Sequence, residues 1–415
     1  MMITRRGLLE AAGTGTILAG SGAAIAQLFA TEAAAEGALD LSPLLPDGTR
    51  AEAILDTLPG KKPLIKLSYR PPNYETPIEY FRTDITPNDA FFVRYHLSDI
   101  PQVDAKTWKL AIGGDGANGE VRLSLDDLKQ FTPVEVVALC QCSGNRRGLF
   151  QPHVAGVEWG YGAMGCARWK GVRLKDLLDK AGLKREAVEI VVDGADRGVS
   201  DKTPKFTKSL PLWKALEDTT LVAYEMNGQP LPHWNGFPAR IVVPGWTGTY
   251  WMKHVTSIMA ATKPYEGFWM KSAYRIPLGK FPVVARFSSQ ETAVNTPITE
   301  MVVNSLITSH VDGAMVKVGA TVTVAGIAWD GGYGMSTVEV SVDGGKNWAA
   351  APLGEDHGPF ALRSWSLQFS PKAPGQHVVM ARATNMIGQS QTTALIPNPA
   401  GYHHNLVQAL TLVAA

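Results

Sequence analysis

The run Cys140-Gln141-Cys142-Ser143-Gly144-Asn145-Arg146-Arg147 sets two thiols and two guanidinium groups close together. Side chains along a strand repeat every two residues, so a strand over Val134–Cys140 points Cys140 and Cys142 the same way. Ser-Gly-Asn then breaks the strand, which leaves Cys142 where a strand feeds a loop, with two cations close behind. Nearby cations favour the thiolate, the form that binds metals. The same residues also read as two core cysteines before a pair of surface arginines, since free cysteine is among the most buried residue types. Cys166, in the small-residue run Gly162-Ala163-Met164-Gly165, reads as core.

No other grouping completes a familiar metal site. Cys-x-x-Cys, His-Glu-x-x-His and a second cysteine pair are all absent, as is a Cys-x-x-Cys-His heme attachment. A lone thiolate on a metal therefore needs its other ligands from a cofactor, and the dithiolene of a pterin-bound molybdenum centre would supply them. Two further clusters carry polar chemistry. In Phe91-Phe92-Val93-Arg94-Tyr95-His96-Leu97, Arg94 and His96 share one strand face with Tyr95 on the other. In Tyr224–Pro232, a strand ends in an Asn227-Gly228 turn and runs on to Asn235-Gly236-Phe237-Pro238-Ala239-Arg240. Glycine and proline beside a strand suggest backbone shaped to approach a ligand, or an ordinary structured loop.

The elements that position these residues follow from pattern. Val134–Cys140, Val188–Asp193, Leu221–Met226 and Arg240–Val243 are apolar or β-branched runs bounded by glycine or proline. Ser124 caps Leu125-Asp126-Asp127-Leu128, and Leu174, Leu177, Leu178 and Ala181 fall at helical spacing before Gly182. This is a mixed α+β domain, placed at 78–297. After Pro297 the texture changes to period-two runs at Val316–Trp329, Thr337–Asp343, Leu362–Phe369 and His377–Thr384, with a hairpin turn at Asp343-Gly344-Gly345. An all-β immunoglobulin-like sandwich over 298–415 is the expectation. Residues 27–77, rich in Pro, Gly and Ala, read as an extended arm.

Ahead of the arm, Arg5-Arg6 and an apolar, small-residue stretch to Ala24-Ile25-Ala26 read as a twin-arginine export signal over 1–26. The expectation is a periplasmic protein with no membrane anchor in the mature chain, exported already folded. The 415 residues carry 39 Lys+Arg against 38 Asp+Glu, a net charge of +1, with 45% hydrophobic and 19% charged residues. That composition excludes wholesale disorder, and the balanced charge offers no field to collect nucleic acid or an anionic membrane. A charged substrate must be captured by a local site. Three cysteines exclude a disulfide scaffold.

Taken together, Phe92–Leu97, Cys142–Arg147, Tyr224–Gly228 and Gly236–Arg240 resemble the sulfite oxidase family of molybdenum enzymes, over roughly residues 70–412. The resemblance implies a molybdopterin-binding domain of the sulfite oxidase fold followed by an immunoglobulin-like dimerisation domain. It implies oxidation of sulfite to sulfate at molybdenum-molybdopterin, a homodimer formed through the second domain, and no heme in this chain, as in heme-free periplasmic sulfite dehydrogenases. Electrons would pass to a separate c-type cytochrome. Cys142 would be the thiolate ligand of molybdenum. Arg94 and Arg147 would hold the substrate, Tyr274 would be the active-site tyrosine, and Trp159 would line the pocket. The pterin would be held around Arg94, Tyr95, His96, Asp196, Arg240, Trp251, Met252 and Lys253.

Two positions depart from the family pattern. Animal members carry histidine where this chain has Asn235, and an amide hydrogen-bonds but carries no charge. The family often sends an arginine to the substrate from near the C-terminus, where this chain reads Gly401-Tyr402-His403-His404-Asn405. His404 is the candidate substitute, and capture would then depend on pH near neutrality if it titrates there. The alternatives are a periplasmic molybdenum-dependent methionine sulfoxide reductase and a non-enzymatic exported adhesion protein.

Overall fold

The computed structural model describes residues 54–277, 295–398 and 400–415. The export signal expected over 1–26, and the arm up to residue 53, lie outside the described residues.

Two five-stranded sheets build the first domain. One runs Thr207–Pro211, Glu189–Gly194, Val255–Ala261, Leu110–Gly113, Val121–Leu123, and is antiparallel except where Val255–Ala261 meets Leu110–Gly113. The other runs Gln229–Pro230, Leu221–Met226, Met164–Arg173, Val134–Gln141, with Arg240–Val242 also paired to Leu221–Met226. The second sheet positions chemistry at both ends. Val134–Gln141 delivers Cys140 and then Cys142, and Arg240–Val242 delivers Arg240. Helix Leu174–Ala181 buries Leu174, Leu177, Leu178 and Ala181, and Gly182 ends it at φ 72°. Ser124 and Asp127 form a reciprocal capping box on the single turn Leu125–Leu128.

The later part of the expected arm is a sheet. Ile54–Asp56, Leu64–Ser68 and Asn73–Glu75 form an antiparallel ladder that ends on Val93–Arg94, with Asn73 opposite Arg94. The Pro- and Gly-rich composition hides these short strands. Arg94 is therefore held by a segment whose composition alone reads as a strap.

The second domain is a two-sheet sandwich. Asn304–Ile307, Val322–Trp329 and Arg363–Phe369 face Ala314–Val316, Gln408–Ala414, Gly375–Asn385, Met335–Ser341 and Ala349–Ala351. Val324, Val338, Val379, Ala381, Leu410 and Leu412 fill the space between them. The run expected at Val316–Trp329 is two strands, because Gly319 turns the chain at φ 79°. The hairpin at Asp343 is present. Its carboxylate accepts the backbone N–H groups of Lys346 and Asn347 at 3.0 and 2.9 Å.

Arg146 joins the two domains. It is buried, and its guanidinium donates to Asn304 Oδ1 (2.6 Å) and Ser305 O (2.7 Å) between the rings of Tyr161 and Trp329. Its backbone lies in the left-handed region at φ 67°, a conformation that costs a non-glycine residue on the order of 1–3 kcal/mol. The surrounding bonds hold it there.

Candidate active site

Cys142 follows the last residue of its strand, and its N–H donates to Ala163 O at 2.8 Å. The loop behind it is braced at each step. Asn145 N–H bonds to Cys142 O, Arg146 N–H to Gly160 O, Arg147 N–H to Gly144 O and Gly148 N–H to Trp159 O, at 2.8 to 3.0 Å. A cleft opens beside it, lined by Cys140 and Cys142 together, as the two-residue spacing suggests. Burial pushes the Cys140 thiol up to about 11, and its sulfur sits 3.9 Å from an Arg240 nitrogen. Cys166 is core, its thiol pushed up to about 12 by burial.

The expected pterin residues line the same cleft: Arg94, Tyr95, His96, Asp196, Asn235, Arg240, Trp251, Met252 and Lys253. A continuous strand would set Arg94 and His96 opposite Tyr95, yet all three face the cleft, because the strand ends at Arg94 and the chain turns. Arg240 lies between the rings of Trp169 and Trp251 and donates to Asn235 O and Trp251 O, both at 3.0 Å. Its Nε, though buried, has no hydrogen-bond partner among the described residues. Lys253 sits over the face of Tyr95, and burial with Arg240 nearby holds its amine well below the ordinary lysine range. Burial likewise raises the carboxyl of Asp196. His254 Nδ1 meets Phe237 O at 2.6 Å, and a carbonyl only accepts. That neutral ring, held down to about 3 by burial, therefore accepts a hydrogen bond at Nε2 from the Tyr95 hydroxyl, 2.7 Å away.

A second group surrounds Tyr274. Arg94 donates to Asn73 Oδ1 at 3.1 Å and to the Tyr274 hydroxyl at 3.5 Å. The Tyr274 hydroxyl also meets His96 Nε2. Burial and the cations Arg94, Lys253 and Lys208 keep His96 neutral, and its ring stacks on Phe206 with centroids 3.5 Å apart. Arg94 donates to the Tyr274 oxygen, and the tautomer of the neutral His96 ring sets which partner donates in the Tyr274–His96 bond. Burial raises the Tyr274 pKa, while the Arg94 and Arg147 charges oppose that rise and the Cys142 charge adds to it.

Arg147 reaches the same group through Tyr402. Its Nε donates to Ala400 O at 3.1 Å and its guanidinium lies over Tyr402, 5.3 Å from the ring centroid. Tyr402 in turn stacks on Tyr274, with centroids 5.7 Å apart. Three glycines make room for the arginine. A Cβ on Gly144, Gly156 or Gly401 would come within 2.5, 2.9 or 2.7 Å of its side chain. Gly156 and Gly401 also hold positive φ, so only glycine suits them without strain.

Arg147 and Tyr274 do not line the cleft itself but belong to the adjoining group around Tyr402, and two further expected residues sit otherwise. Trp159 is fully buried and does not line the cleft. Its backbone fastens Gly148, and its indole N–H has no partner among the described residues. His404 packs edge-on against Phe150 at 5.2 Å, and burial with Arg146 nearby pushes it down to about 3. It is neutral across the physiological range, so the expected titration near neutrality is corrected. Tyr402, two residues earlier, holds the place beside Arg147. The Asn227-Gly228 turn does not reach the cleft. Asn227 braces Thr86 and Asn88 at 3.0 and 2.9 Å.

Sequence reasoning passes over Tyr402, Lys61 and Lys208. Lys208 is fully buried, donates to Trp269 O at 2.7 Å, and lies 5.6 Å from the Tyr274 ring centroid. A lysine in the alternating run Thr207–Pro211 reads as solvent-facing, and no local signal marks it. Among the described residues, no cluster of three or more His, Cys, Asp or Glu side chains is placed to hold a metal ion. A metal at Cys142 would take its other ligands from a cofactor.

The comparisons with known proteins match this layout. A model of the oxidoreductase molybdopterin binding domain covers residues 96–269, and a model of the Mo-co oxidoreductase dimerisation domain covers residues 295–407. The chain is 39% identical over 332 residues to mitochondrial sulfite oxidase of Macaca fascicularis, covering 77% of this chain and 59% of that protein. It is 32% identical over 328 residues to sulfite oxidase of Arabidopsis thaliana, covering 75% of this chain and 81% of that one. The chain thus spans about three-fifths of the length of the mitochondrial relatives. The crystal structure of the sulfane dehydrogenase SoxCD from Paracoccus pantotrophus superposes with a TM-score of 0.71 at 26% identity, over 90% of this chain and 92% of that one. A molybdopterin-binding domain followed by a dimerisation domain, with a plant relative matched across most of its length, establishes that this chain belongs to the sulfite oxidase family.

Proposed function

We propose that the protein oxidises sulfite to sulfate at a molybdenum-molybdopterin centre ligated by Cys142, and passes the electrons to a separate c-type cytochrome. It works in the periplasm as a homodimer formed through the sandwich domain. One observation carries the reading: Arg94 contacts Tyr274 and Arg147 lies over Tyr402, and these two tyrosines stack on each other within electrostatic reach of Cys142.

The residues fit the cofactor. The cleft brings together Cys140 and Cys142, two guanidinium groups (Arg94, Arg240), the Lys253 amine and one acid, Asp196. The unpartnered Arg240 Nε is a buried donor suited to an anionic or carbonyl group. Arg240, Lys253, Asn235 and Trp251 would hold the pterin, and Cys142 the metal. When bound, the group supplies the two-electron oxidation and the oxygen that sulfite gains.

The chain supplies capture and orientation. Each arginine presents a planar fork suited to an oxyanion, and charge-assisted bonds are roughly twice as strong as neutral ones. The site is buried, where such bonds are screened less than in water. The net charge of +1 provides no general attraction, so selectivity for a small dianion rests on this local pair. Arg94 donates to the Tyr274 hydroxyl, which also contacts His96 Nε2, and the two bonds fix the phenol in place. A transient encounter suits the electron acceptor, as small interfaces do for electron transfer.

The test is sulfite-dependent reduction of ferricyanide by protein whose molybdenum and pterin have been assayed. Turnover of sulfite, with none of methionine sulfoxide or sulfane sulfur, is expected. Fully loaded protein inert to sulfite would overturn the reading, and so would protein that holds no molybdenum.

A further inference from the structure

Lys61 precedes the segment matched to the molybdopterin-binding domain, yet its ammonium ends behind the cleft wall. It has three N–H donors, and all are used: Asn88 O at 2.6 Å, Phe91 O at 3.0 Å and Asn235 Oδ1 at 2.7 Å. Every one of these acceptors is neutral. The side chain is buried, and burial pushes its amine down to about 7 against the pull of Asp89. A lysine held on neutral acceptors in the interior costs stability.

The arrangement settles the orientation of one amide. Asn235 lines the cleft and is itself buried. An amide side chain can turn either its oxygen or its NH2 toward a neighbour. An ammonium offers donors only, so Asn235 must present its oxygen to Lys61 and turn its NH2 away. One N–H of that NH2 lies toward Phe92 O, with the nitrogen 3.4 Å from it, and the other, on a residue that lines the cleft, has no hydrogen-bond partner among the described residues. Without the lysine, either face of the amide could turn inward, and an oxygen there would repel an anion.

We propose that Lys61 is a positioning residue for the molybdopterin: by holding the oxygen of Asn235 it presents the amide N–H to the anionic end of the cofactor. The inference rests on the molybdopterin reading above. It makes the strand-forming segment upstream of Val93 part of the cofactor site. It also explains how an uncharged Asn235 serves where a histidine would bring its own donor.

The test measures pterin content, released and oxidised to its fluorescent form, in whole protein produced with the cofactor supplied, alongside thermal melting. Lys61→Met should hold roughly tenfold less pterin than wild type, in the range seen when an outer partner of a bound group is removed. Asn235→Asp is the second arm. Its carboxylate pairs with Lys61, so the melting temperature should stay level or rise while pterin falls, because the inward donor is gone. Asn235→His in the Lys61→Met background should recover much of the pterin, since an imidazole carries its own N–H and needs no lysine behind it. Wild-type pterin content in Lys61→Met or in Asn235→Asp would overturn the proposal, as would a folded double variant as empty as Lys61→Met alone. Wild-type protein that takes up no pterin would overturn the cofactor reading itself, and the role of Lys61 with it.

Discussion

The guanidinium of Arg147 lies 5.3 Å over the ring of Tyr402, and the backbone carbonyl two residues before that tyrosine accepts from its Nε at 3.1 Å. That carbonyl lies 253 residues further along the chain than the arginine. The ring and the carbonyl together aim the cation.

Tyr402→Phe keeps the ring and should leave kcat/KM for sulfite within about twofold. Tyr402→Ala removes it, and a partly desolvated cation–π contact is worth roughly 1–2 kcal/mol, about tenfold in kcat/KM. Steady-state kinetics with ferricyanide reads the difference. Equal loss in both variants would assign the effect to the hydroxyl.

Arg94→Gln should lower kcat/KM for sulfite by roughly 2–5 kcal/mol, because it removes a charge-assisted contact and loosens Tyr274. The fold should hold, since glutamine can still reach Asn73. Unchanged kinetics would take Arg94 out of the substrate site.

Cys142→Ser should melt near the wild-type temperature, as a near-isosteric change at a buried position, yet show no sulfite oxidation. A serine oxygen is a harder and poorer donor to molybdenum than a thiolate. Full activity with molybdenum bound would end the assignment of this residue.

Lys208→Met should stabilise the protein in a pH-dependent way. Burial and the Arg275 charge push Lys208 from 10.5 down to about 7. Between those values the unfolded chain binds the proton and the folded chain does not, so wild-type stability rises with pH across that window. The penalty is full below pH 7 and fades toward pH 10.5, by ~1.4 kcal/mol for each pH unit crossed in between. The melting-temperature gain of the variant should therefore be largest at pH 6 and small at pH 10, offset by the lost bond to Trp269 O. A gain that ignores pH would show that Lys208 is not buried as a cation.

His404→Gln should leave the shape of the kcat/KM profile between pH 5.5 and 8 unchanged, because burial keeps that histidine neutral there. A displaced acid limb in the variant would restore His404 as a titrating group of the site.

What can be read from the sequence is local. Cys142 at a strand end, Leu221–Met226 as a strand and Gly182 as a helix stop each depend on a few neighbouring residues. The residues that line the cleft fall in short motifs around Arg94, Arg240 and Trp251, which is why the family resemblance points to them together. What escapes depends on distant pairing. Lys61 meets Asn235 across 174 residues, and nothing near either one announces the other. Tyr402 and His404 are near neighbours in one irregular segment, and no periodicity tells which of them turns to Arg147. The glycine slot is invisible for the same reason, since Gly144, Gly156 and Gly401 converge only in the fold.

Arg146 and Arg147 share a peptide bond, yet one is clamped to Asn304 and Ser305 while the other faces the tyrosines. The two domains are consequently not interchangeable parts. A chimera that borrowed its sandwich from a relative would have to seat Asn304 and Ser305 against Arg146, or the error would pass one residue along to the guanidinium that lies over Tyr402.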